Sequence, residues 1–61
     1  SNPETRARAQ GMLGQLESQL ASLEAELKAA EERGDEKRAK SLSEAIETKR
    51  AWLAQINSSI Q

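Results

Sequence analysis

A chain of 61 residues with no Cys and no His makes at most one small domain, and it excludes disulfides, zinc–thiolate sites, thiol chemistry and imidazole catalysis together. Its apolar residues are mainly Ala, Leu and Ile, with one Trp, one Met and no Phe or Tyr, so strong helix formers dominate and a sheet would have almost nothing to pack with. Nine basic residues against ten acidic ones leave a formal charge of -1, which gives the chain no bulk electrostatic reason to seek nucleic acid or anionic lipid.

The N-terminus carries two helix-start signals. Ser1 and Glu4 have the spacing of a capping box, and Asn2 followed by Pro3 is an N-cap with proline at the first helical position, where its missing N–H costs nothing. Beyond them Leu13, Leu16, Leu20, Leu23 and Leu27 recur at alternating spacings of three and four, a heptad-like seam extended by Ala9 before it and Ala30 after it. Helix one is therefore predicted over about 3–33. Gly34 then supplies the left-handed position that ends a helix, and Asp35 is a good N-cap for the next. Helix two, predicted over about 36–59, places Ala39, Leu42, Ile46, Lys49, Leu53, Ile56 and Ile60 at the same spacing, with Lys49 the one charged residue in the seam.

A single long helix does not fit. Carrying the first seam through the middle puts Gly34, Lys37 and Ser41 at core positions, whereas the second seam begins at Ala39. Folding the chain back at Gly34 brings together residues whose numbers total 69: Ala30 with Ala39, Leu27 with Leu42, Leu23 with Ile46, Leu20 with Lys49, Leu16 with Leu53, Leu13 with Ile56 and Ala9 with Ile60. The alanines beside the turn let the helices approach closely before the larger layers separate them. The expected fold is all-α: residues 1–61 form one antiparallel two-helix hairpin, coiled-coil-like, pairing into a four-helix bundle. On the flanking edge Glu17 is expected across from Arg50, and Lys49 is expected to extend from the seam toward Glu17 or solvent.

One side of the hairpin is short of charge. Beside the seam, helix two reads Ser41, Ala45, Thr48, Trp52, Gln55 and Ser59, and helix one reads Met12, Gln15, Gln19, Ser22, Glu26 and Ala29. A lone Trp with a Met on such a side marks an interaction surface, for which the candidate residues are Met12, Gln19, Ala45, Thr48, Trp52 and Gln55. The competing reading has Trp52 covering the seam of its own hairpin. Gly11 and Gly14 fall on outer positions, where each costs roughly 1 kcal/mol relative to Ala; close approach of another backbone and simple fraying of the helix end are the two readings.

The remaining motifs point away from chemistry. Arg33-Gly34-Asp35 has the letters of an adhesion tripeptide, but Gly34 and Asp35 are already used as helix stop and cap. The turn ERGDEKR resembles the hairpin tip of the Gre-type transcript-cleavage factors, which enter the secondary channel of RNA polymerase with a Gly-Asp turn followed by acidic residues that hold magnesium. That resemblance covers Gly34-Asp35 and the flanking helices alone. Lys37-Arg38 stands where the family continues with an acidic-polar segment, and its tyrosine is missing, so no metal role passes to Asp35 or Glu36. The pairs Glu31-Glu32 and Asp35-Glu36 have basic neighbours and no pocket around them. The basic residues Arg6, Arg8, Lys37, Arg38 and Lys40 are scattered, with no stacking aromatic between them, so nucleic-acid binding is not expected.

The expectation is a non-enzymatic module without cofactor or metal, soluble and cytoplasmic by default, with no membrane segment. It forms a homodimer that oligomerises or docks a larger protein, a plan that resembles Rop-type hairpin dimers in size and arrangement only. The alternative is a small regulator that binds a helix of a partner protein, or RNA polymerase, through its uncharged side.

Overall fold

The computed structural model describes residues 2–60 and contains two helices, α1 (Pro3–Glu32) and α2 (Glu36–Ile60), packed against each other as a hairpin. No strand occurs among the described residues. The molecule is a rod of 47 × 15 × 11 Å, as expected when α1 alone, at about 1.5 Å per residue, sets the length.

Asn2 caps α1 in an extended conformation. Its side-chain oxygen accepts the Glu4 N–H at 2.8 Å, and Pro3 follows directly. The alternative cap, Ser1, lies outside the described residues. At the other end Gly34 takes φ of 74°. Its N–H donates to the Glu31 carbonyl at 3.1 Å, and the Asp35 N–H donates to the Ala30 carbonyl at 2.9 Å. These two bonds form a Schellman closure, which satisfies carbonyls that the end of a helix leaves without partners. Asp35 then serves α2: its carboxylate oxygen Oδ1 accepts the Arg38 N–H at 3.0 Å, and its backbone carbonyl accepts the Ala39 N–H at 2.9 Å.

The core follows the two seams. Every seam position on both helices is buried or half-buried, and the one other described residue that is not exposed is Asp35. Ala30, Leu42, Ile46 and Ile56 are the most buried, three of them toward the turn, where the alanine layer draws the helices together. Two ion pairs on opposite edges fix the register: Arg38–Glu26 at 2.9 Å and Arg50–Glu24 at 2.6 Å have numbers totalling 64 and 74, five to either side of 69. Ala9 and Ile60 line one depression at the open end, consistent with the same register.

Arg50 therefore pairs with Glu24 and not with the expected Glu17. Helical side chains lean toward their own N-terminus. In an antiparallel pair this carries Arg50 toward the turn and Glu24 away from it, so the two converge, whereas Arg50 and Glu17 diverge. Lys49 is half-buried and makes no ion pair with Glu17 or with any other described residue, which leaves its ammonium directed to solvent. Both bridging pairs are about half exposed, so each contributes a few tenths of a kcal/mol and acts mainly on orientation.

The glycines separate into two kinds. A Cβ added at Gly11 or Gly14 meets nothing within 4 Å, and α1 runs unbroken through both; at Gly34 space is equally open, but the positive φ strains any L side chain. Gly14→Ala is expected to stabilise the hairpin by up to about 1 kcal/mol. Gly34→Ala is expected to destabilise it by about 1–2 kcal/mol. Thermal melts followed by circular dichroism should move in opposite directions for the two variants.

Candidate interaction surface

Each helix presents two edges beside its seam. On the edge of α1 that carries Glu24, the facing edge of α2 supplies Arg50. On the other edge Glu26 reaches Arg38, and the same edge continues with Gln19 and Met12 on α1 and with Ala45 and Trp52 on α2. This edge runs from charged at the turn to uncharged and apolar toward the open end. Arg38 uses the extended reach of its side chain to meet Glu26, because Arg33, its nearer neighbour on that edge, carries the same charge and lies 3.6 Å from Asp35.

Met12 is 48% exposed and Trp52 47%, the two large apolar side chains left exposed. Gln19, Ala45, Thr48 and Gln55 are exposed as well. The Thr48 hydroxyl donates to the Glu44 carbonyl at 3.1 Å and the Ser59 hydroxyl to the Ile56 carbonyl at 2.7 Å, so two hydroxyls on this side are turned onto their own helix. All six candidate residues thus lie on one side of the hairpin. Trp52 is divided between two surroundings: about half of it is covered within its own hairpin and half is open to a partner.

The side has ends that a list of its uncharged residues does not show. The Glu26–Arg38 pair bounds it toward the turn, and Arg8, 3.8 Å from Glu4 in a highly exposed pair, bounds it at the open end. Residues 9–16 contain no charge, nor do residues 51–60. In the hairpin these segments lie side by side, so the band of the rod between Ala9 and Leu16 is uncharged all the way round its girth. The signal was present in the sequence, but it appears as one surface only after the two segments are brought together by the register.

An open depression at the turn is lined by Glu31, Gly34, Asp35, Glu36 and Ala39, contrary to the expectation of no pocket beside the paired carboxylates. Asp35 accepts the Arg38 N–H through Oδ1 and holds Arg33 against Oδ2, so the tripeptide at the turn is occupied internally. Among the described residues no group of three His, Cys, Asp or Glu is placed to hold a metal ion, and no helix is long and apolar enough to cross a membrane. The chain matches no protein-family model, and no curated protein or solved structure shows significant similarity to it.

Proposed function

We propose that this chain is a non-enzymatic association module whose hairpins pair through the side bearing Met12 and Trp52 to form a four-helix bundle, and that it thereby oligomerises or docks a larger protein. The observation that carries the reading is that the two exposed large apolar side chains, Met12 and Trp52, fall on the uncharged part of one and the same edge.

The surface area supports it. The hairpin exposes 4676 Å², whereas a compact folded monomer of 6.7 kDa exposes about 3900 Å² by the usual scaling. The excess of roughly 800 Å² equals what one partner contributes to an interface of standard size. A second hairpin on the Met12–Trp52 side removes that excess, and it also covers one flank of seam leucines that are half-buried in the single hairpin.

Sedimentation equilibrium tests the proposal. The weight-average mass should rise from that of one chain toward that of two as concentration increases through the micromolar range. A folded monomer at high micromolar concentration contradicts self-association and leaves docking to a helix of another protein as the use of this side.

A further inference from the structure

We infer that the two hairpins pair antiparallel about a two-fold axis at the level of Trp52, with their turns at opposite ends of the bundle; this rests on the self-association proposed above. The first observation is positional. The midpoint of α1, Pro3–Glu32, falls at residues 17 and 18, and in the hairpin register Trp52 lies level with residue 17. The most anchor-like side chain of the surface therefore sits halfway along the rod. An isologous contact places its own central residue on the symmetry axis, so Trp52 of each copy meets Trp52 of the other.

The second observation is the charge pattern. When two faces meet about an axis across the rod, α1 lies on α1 of the second copy, running the opposite way, and residues whose numbers total 34 or 35 face each other. Arg8 then lies opposite Glu26 of the second copy, and the converse pair closes the other end. Arg8 is held only by a loose, exposed pair with Glu4, and Glu26 uses Oε1 for Arg38, so the second carboxylate oxygen can accept from the incoming guanidinium. Met12 comes to rest over Ser22, a large side chain against a small one.

The opposite arrangement, with turns together, fails on the same map. It lays α1 on α2 of the second copy at equal height, and Arg33 and Arg38 of one chain then stack on Arg38 and Arg33 of the other. Four guanidinium groups at one end oppose that packing. The antiparallel arrangement separates them by the length of the bundle.

The chain has no cysteine, so Lys37→Cys, at an exposed position beside the turn, takes a single spin label. Pulsed dipolar spectroscopy on the labelled protein, with sedimentation in parallel, should give a dimer and a label-to-label distance of about 45 Å at 1.5 Å per residue. A dimer with labels closer than about 25 Å overturns the antiparallel arrangement while leaving self-association standing. A monomeric mass with no dipolar modulation overturns both. Arg8→Glu should weaken the dimer several-fold, whereas Lys28→Glu, the same charge change on the outer face, should not. Equal weakening by the two overturns the assignment of Arg8 to the closing pair.

Discussion

Ile46→Ala should leave the hairpin largely unfolded at 25 °C under conditions where the unaltered chain is folded. Ile46 is 4% exposed and lies in the layer opposite Leu23, and truncating a buried Ile to Ala costs about 2–5 kcal/mol. A domain of this size holds only about 3–5 kcal/mol in its core, so one such loss is comparable with the total. The far-UV circular dichroism at 222 nm should fall sharply, because most of the stability of a helix in a protein comes from the packing of its apolar face. The same truncation at half-buried Leu20, which faces Lys49 and packs against less, should cost less. Equal losses at the two positions would contradict the burial gradient along the seam.

Trp52→Ala should act on a different equilibrium. In the proposed bundle Trp52 is the central anchor, and removing an anchor of that kind costs at least about 2 kcal/mol of binding, a rise in dissociation constant of about 30-fold or more. Helix content should be retained at concentrations where the single hairpin is folded, since about half of the Trp52 surface is outside its own hairpin. Sedimentation and circular dichroism on the same samples separate the two effects. Unchanged mass with reduced helicity would assign Trp52 to the hairpin's own core and sink its role as an anchor.

The contrast between Ile46 and Trp52 also shows how much was legible in advance. Both belong to strings of residues at helical spacing, yet Ile46 falls in the stripe and Trp52 beside it. Spacing distinguishes them without coordinates, because a helix of 3.6 residues per turn places the two about a quarter-turn or more apart. Gly34 and Asp35 are equally legible: the positive φ of 74° belongs to glycine stereochemistry, and the cap belongs to a short carboxylate next to a helix start.

The partner of Arg50 was not legible. Two carboxylates, Glu17 and Glu24, lie one heptad apart on the same edge, and a register counted at Cα positions leaves both within reach. The lean of the side chains toward their own N-termini selects Glu24. Arg38 is a similar case. Its bond to Glu26 crosses to the other helix along an edge whose nearer position holds the like-charged Arg33, a juxtaposition that exists only when the turn is closed.

By itself, the sequence determined two helices, the turn that joins them, the seams they bury and the register of the pairing. Helical period and turn stereochemistry are local properties, and a hairpin with a short turn has little freedom beyond them. Only the tertiary structure decided which carboxylate each arginine reaches, that Lys49 stays without an ion pair, and where the uncharged side begins and ends. Those outcomes depend on the direction and reach of side chains from two segments far apart in the chain, whose competition begins only when the helices lie side by side.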